Sequence, residues 1–277
     1  MTRIDAHQHF WALARGDYGW LTPDLSQIYR DFQPDDLAPI LAAHQIKGTV
    51  LVQAAPTIAE TEYLLELADR HDLIKGVVGW VDFESNDAPR DIARLAEHGA
   101  LVGLRPMIQN IKDVDWMLGS DLRPAFDALL AHDLTLDALT LPQHLANLST
   151  LLDRHPEMRV VIDHGSKPHI RDGIIDGWAE DMSALARQTS AFCKLSGLVT
   201  EAPADWTVDH LKPYVDHLLE CFGHARLIWG SDWPVCTLAA SYQQWVEASE
   251  SLLNGLSNDD QTAIKGDNAA RAYRLRD

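Results

Sequence analysis

The sequence predicts a (β/α)8 barrel of the TIM class, built as a single domain over residues 1–277. Three observations predict it. Short apolar, β-branched runs recur along the chain, and each is followed by a polar turn and a stretch with helical spacing. Alternation of that kind calls for parallel strands joined by crossover helices. Eight such runs are counted, in a chain of barrel length, and no GxGxxG motif follows the first of them, which argues against an open doubly wound sheet.

The strands are read at Arg3–His7, Thr49–Gln53, Ile74–Trp80, Leu101–Arg105, Thr135–Thr140, Val160–Asp163, Phe192–Leu195 and Leu227–Gly230. Runs such as "TVLV" and "VVID" lack polar alternation, as expected of strands covered on both faces. Between them "IAETEYLLELADRH", "APRDIARLAEHG", "RPAFDALLAH" and "QHLANLSTLLDRHP" place apolar residues three and four apart, with breakers at their ends. The one long irregular connection is residues 10–33, "FWALARGDYGWLTPDLSQIYRDFQ", and connections of that length are more often functional than idle.

Hydrophobic residues make up 46% of the chain, enough for one large core. A net charge of -18 disfavours a nucleic-acid partner, which needs clustered Lys and Arg to displace counterions. Cys193, Cys221 and Cys236 have neither zinc-ribbon nor redox-pair spacing and are expected as reduced core thiols. No apolar stretch of signal-peptide or membrane-spanning length is found, so a cytoplasmic protein without a membrane partner is expected. Oligomeric state is not readable.

In such barrels the reactive groups stand at the C-terminal ends of the strands. The first strand ends in His7-Gln8-His9, whose imidazoles leave the same side of a period-two strand. The sixth ends in Asp163-His164, the eighth runs into Asp232, the fourth ends in Arg105, and His144 follows the fifth. Imidazole and carboxylate are also the ligand set that suits zinc or a similar divalent ion. Asp163 reads as the carboxylate that orients a neighbouring imidazole. His144 is either a pocket residue or the first turn of a helix. His44, His71, His132, His155 and His224 fall on helices or surface turns and read as structural. Trp11, Trp20, Trp80 and Trp233 suit either the core or the wall of a sugar-binding mouth.

The segments "DAHQHFW", "GLRPMIQ", "VIDHGSKP", "KLSGLVTEA" and "LIWGSDWPV", in this order across nearly the whole chain, resemble the amidohydrolase superfamily. Within it they resemble the sugar-lactonase branch of L-fuconolactonase- and L-rhamnonolactonase-like proteins. The resemblance implies a barrel that hydrolyses lactones of the L-fucono-, L-galactono- or L-rhamnono class to aldonic acids. It matches His7 and His9 to the strand-one pair, His164 to the strand-six histidine and Asp232 to the strand-eight aspartate, which takes a proton from the attacking water. Binuclear members carry a lysine at the end of strand five, and "LTLDALTLPQHL" has none, so two metals are not implied. One zinc, held by His7, His9, His164 and Asp232, and a metal-independent site both stay open.

Lactone hydrolysis needs a base, an electrophilic group and an acid for the departing alkoxide. Asp232 is read as the base. His7 and His9 polarise the carbonyl, through a metal or as donors, and His164 either joins them as a ligand or supports the oxyanion. Arg105 suits developing negative charge or sugar hydroxyls. The loop with Tyr18 and Trp20 is expected to close over the ring, with Trp80, His144, Lys167 and Trp233 as substrate contacts. Two rivals are weighed: a metal-dependent decarboxylase of an unsaturated or aromatic acid, and a binding module without catalysis.

Overall fold

The computed structural model describes residues 3–275. Its strands are β1 Arg3–Gln8, β2 Ile46–Val52, β3 Ile74–Gly79, β4 Leu101–Leu104, β5 Thr135–Ala138, β6 Val160–Ile162, β7 Phe192–Leu195 and β8 Leu227–Trp229, all parallel and in chain order. Beyond β8 the chain turns back onto β1. Asp232 N–H donates to the His7 carbonyl at 2.7 Å and His9 N–H to the Trp233 carbonyl at 2.8 Å, which brings the sheet into a nearly closed barrel.

The helices are α1 Pro34–Ala43, α2 Ile58–Arg70, α3 Ala88–Ala96, α4 Arg123–Ala131, α5 Leu145–Arg154, α6 Trp178–Gln188, α7 Leu198–Glu201, α8 Val208–Arg226, α9 Tyr242–Leu252, α10 Asn258–Thr262 and α11 Asn268–Tyr273. Every strand but β7 differs from the sequence reading at one end or both, mostly by one or two residues, and two of the differing boundaries have a clear local reason. Strand β2 starts at Ile46 because Ile46 and Gly48 pair with Arg3 and Ile4, although exposed Lys47 interrupts the apolar run. Helix α5 starts at Leu145, since Pro142–His144 form a separate 3-10 turn.

Two apolar layers hold the barrel. Inside, Ile4, Ala6, Val50, Val52, Val78, Val161 and Ile228 meet, and α11 packs Ala269, Ala272 and Tyr273 onto them. The second layer fills the space between strands and helices. The long connection after β1 is itself well packed: Trp11 and Phe32 exchange backbone hydrogen bonds at 3.0 Å, and Trp11, Tyr18, Ile28 and Phe32 are buried. Most of its aromatics therefore serve the core.

His44, His71, His132 and His155 terminate α1, α2, α4 and α5, and His224 lies in the last turn of α8, where a helix end favours a donor or a cation. Cys193 and Cys236 are buried free thiols. Cys221 departs from the expected core position: it is half-buried on α8, with Sγ 3.3 Å from His217 Nε2. Among the described residues no helix is long and apolar enough to cross a membrane.

Candidate active site

The ends of β1, β4, β6 and β8 open onto a cleft of ≈ 460 Å³. His9, Trp20, Arg105, His164, Lys167 and Asp232 line it, together with Asp17, Pro56, Met107, Gln109, Asn110, Leu139 and Val235. His7 lies just beneath, fully buried. The His7 and His9 rings are 5.0 Å apart, and the His7 and His164 rings 4.5 Å apart. The register of β1 on β2 shifts between Asp5 and Gln8, directly around His7.

His9 donates its Nδ1–H to the Val52 carbonyl at 2.7 Å, and its Nε2 faces Asp232 Oδ1 at 3.3 Å. His7 Nε2 approaches the same oxygen at 3.7 Å and the Arg105 Nη1 at 3.3 Å. Arg105 also donates to Asp163 Oδ2 at 3.2 Å and to the Gln53 carbonyl. The His164 ring is set by Ser196, with Nδ1 and Oγ 2.9 Å apart.

Electrostatics follow from burial and neighbours. Burial works to raise the Asp232 carboxyl, but in the acid range where it titrates the charge then carried by His164 and the contact with His9 outweigh burial and hold the carboxyl below its ordinary range. Asp232 is therefore a carboxylate near neutrality. Burial pushes His164 down to about 4, against the pull of Asp232 and Asp163, so this imidazole is neutral. His7 is held well below its usual value by burial and then by the charge of Lys194.

Local backbone makes the arrangement unusual. His164 and Asp232 both take left-handed conformations, with φ of 55° and 58°, which cost a non-glycine residue roughly 1–3 kcal/mol each. Strain of that kind persists where the surroundings over-determine it, and it aims both side chains at the cleft. Two glycines leave room for His164 and for His7. A Cβ on Gly197, whose φ is +64°, would stand 2.5 Å from His164 Nδ1, and one on Gly230 would stand 2.7 Å from His7 Cβ.

Sequence reasoning missed the layer beneath. Lys194 of β7 is completely buried, with Nζ 2.6 Å from Asp137 Oδ2, 2.9 Å from Asp163 Oδ1 and 3.1 Å from His7 Nδ1. Tyr273 of α11 donates to Asp137 at 2.8 Å. Asp163, expected to orient an imidazole, stands 3.4 Å from His7 Nδ1, and Lys194 and His7 hold its carboxyl well below the usual range despite burial. An available signal was a single ionic residue inside each buried run, "FCKL" and "TLDA".

Three of the substrate contacts expected from the sequence, Trp80, His144 and Trp233, are not among the described residues that line this cleft. Trp233 is buried, edge-on to Phe32 at 5.1 Å and Phe10 at 6.1 Å, and belongs to the core. Trp80 is tied through its backbone to the Thr61 hydroxyl, which accepts its N–H at 2.8 Å and donates to its carbonyl at 2.9 Å. His144 is buried in the turn before α5, where Nδ1 accepts the Leu141 N–H at 3.0 Å.

The donor set fits a single cation. His7, His9 and Asp232 offer ligand atoms that all lie within 4.8 Å of one another, as do His7, Asp163 and His164. His9 Nε2 and Asp232 Oδ1 stand 3.3 Å apart, a spacing that a shared proton or a metal between them satisfies.

The chain matches the amidohydrolase family profile over residues 4–275. It belongs to the amidohydrolase superfamily and, within it, to the sugar-lactonase branch. An L-fucono-1,5-lactonase of Burkholderia ambifaria is 46% identical over 277 residues, covering 99% of this chain and 96% of that protein. An L-fucono-1,5-lactonase of Burkholderia multivorans is 36% identical over 289 residues, covering 99% and 96%. A crystal structure of a Burkholderia multivorans amidohydrolase with bound zinc superposes with a TM-score of 0.94 at 34% identity, covering 100% of both chains.

Proposed function

We propose that the chain opens a sugar-derived lactone, of the L-fucono-, L-galactono- or L-rhamnono-lactone class, to the aldonic acid, with Asp232 activating water. The observation that carries this reading is the Asp232 carboxylate, ionised in the cleft with one oxygen 3.3 Å from His9 Nε2 and 3.7 Å from His7 Nε2. The lactonase relatives support it, as does a cleft that combines an indole, side-chain amides and cations.

In this reading the sugar ring lies against Trp20, and Gln109, Asn110 and Lys167 take its hydroxyl groups. Arg105 and the neutral His164 stabilise the negative charge that develops on the carbonyl oxygen. Asp232 removes a proton from water as the water oxygen bonds to the carbonyl carbon. The bond to the ring oxygen then breaks, and Asp232 returns that proton to the departing alkoxide. The new acid loses its own proton to solvent. One divalent ion, zinc in this reading, would be held by His7, His9 and Asp232, with His164 alongside, and when bound it supplies Lewis acidity toward the carbonyl.

Proton release from fucono-, galactono-, rhamnono- and arabinono-lactones, with and without a chelator, tests the proposal. Fast opening of one of them is expected, and loss on chelation that zinc restores assigns the metal. Opening no faster than the spontaneous rate, with carbon dioxide released from a carboxymuconate-type acid, contradicts it.

Gly197→Ala is expected to destabilise the fold by roughly 1–2 kcal/mol, the cost of a side chain in the left-handed region. It also pushes the His164 ring off Ser196, so turnover falls about tenfold, as for a reacting group moved by a fraction of an ångström. A thermal melt and initial rates check both effects; wild-type turnover in the variant would remove His164 from the chemistry.

A further inference from the structure

Glu60 sits in the first turn of α2, fully buried, and has no part in the chemistry above. Both of its carboxylate oxygens accept the Ala54 N–H at 3.0 Å, and Oε2 also accepts the Ala55 N–H at 2.7 Å. These amides belong to two successive peptide groups whose carbonyl ends each meet a residue of the cleft. The carbonyl of the first, on Gln53, accepts from Arg105 Nη2. The carbonyl of the second, on Ala54, accepts the Trp20 indole N–H at 2.7 Å. One carboxylate is thus joined, through two peptide groups, to the cation and to the aromatic wall.

The N–H groups alone do not require a charge. A neutral acceptor would satisfy them at a smaller desolvation cost, and burial pushes the Glu60 carboxyl up to about 8, against the two amides. What Glu60 adds is a link: its two oxygens take the N–H ends of two adjoining peptide groups at once, which fixes the direction of both carbonyls, and hydrogen bonds in series reinforce one another. The same corner is tied to the long loop, because Thr57 accepts the Glu60 N–H at 3.1 Å and donates to Asp17 Oδ2 at 3.1 Å.

We infer that Glu60 is a positioning residue, which fixes Arg105 and Trp20 in the cleft through the Gln53–Ala54 and Ala54–Ala55 peptide groups. Glu60→Gln keeps the size of the side chain but turns an amide donor toward backbone N–H groups. It raises KM about tenfold, the worth of about one buried hydrogen bond, and lowers kcat less. The kinetic arm of the test rests on the lactonase reading. In double-mutant cycles, Glu60→Gln and Trp20→Phe are expected to be non-additive in KM. Glu60→Gln and Lys167→Met, whose lysine pairs instead with Glu201 at 3.7 Å, are expected to add. Additive effects in both cycles overturn the inference.

A second measurement needs neither a lactone nor a change at Glu60. Trp20→Phe removes the indole from the Ala54 carbonyl, so the Ala55 amide proton, at the far end of the same peptide, is expected to shift upfield in the NMR spectrum. An unmoved Ala55 resonance in the folded variant overturns the inference, whether or not any lactone is turned over.

Discussion

Asp232→Asn is expected to lower kcat on the best lactone by roughly a thousandfold while the protein stays folded, because an amide cannot take a proton from water. The substitution is nearly isosteric, and the backbone hydrogen bonds that hold the turn, Asp232 N–H to the His7 carbonyl and Cys236 N–H to the Asp232 carbonyl, survive it. Its effect therefore falls on chemistry. The substitution also removes the anionic member of the His7, His9 and Asp232 group, so metal affinity is expected to fall in parallel. Steady-state rates at saturating lactone, with an unchanged circular dichroism spectrum, check the claim. A variant with a kcat within a few-fold of wild type would exclude Asp232 as the base.

Lys194→Met carries the largest expected loss of stability. Asp137, Asp163 and Lys194 are all fully buried, and without the ammonium two carboxylates face each other in the barrel interior. Removing one partner of a buried ion pair costs about 3–5 kcal/mol, because the remaining charge is left uncompensated. The sign is checked by adding Asp137→Asn to Lys194→Met, which removes one stranded charge and is expected to recover part of the loss. Urea denaturation of the two variants measures this. A loss below about 1 kcal/mol for Lys194→Met would mean that the interior is far more hydrated than its packing implies.

Much of the frame is legible in the sequence, since strand–helix alternation and buried β-branched runs report burial directly. The strand-end residues His7, His9, Arg105, His164 and Asp232 were legible for the same reason: the end of a parallel strand locates a side chain without any knowledge of its neighbours. Lys194 was not. Its place inside a buried run was visible, but its partners come from β5, β6 and β1, and only the closed barrel brings them together. The aromatics divide in the same way. Trp20 and Trp233 read alike in sequence, yet one finds the Ala54 carbonyl at the cleft and the other packs edge-on to Phe32 in the core. The left-handed backbone at His164 and Asp232 left no mark either, because neither residue is a glycine. Glu60 reads as an ordinary first-turn acid of an amphipathic helix, and its link to the cleft runs through main chain.

The most direct test of Asp232 as a general base is a single turnover of the lactone in oxygen-18 water with enzyme in excess, followed by mass analysis of product and protein. A base at Asp232 puts the heavy oxygen into the carboxylate of the first product and none into the enzyme. An acyl-enzyme anhydride through Asp232 that water opens at the Asp232 carbonyl would instead return an unlabelled first product and leave the label on the peptide that contains Asp232, which would contradict water attack on the lactone.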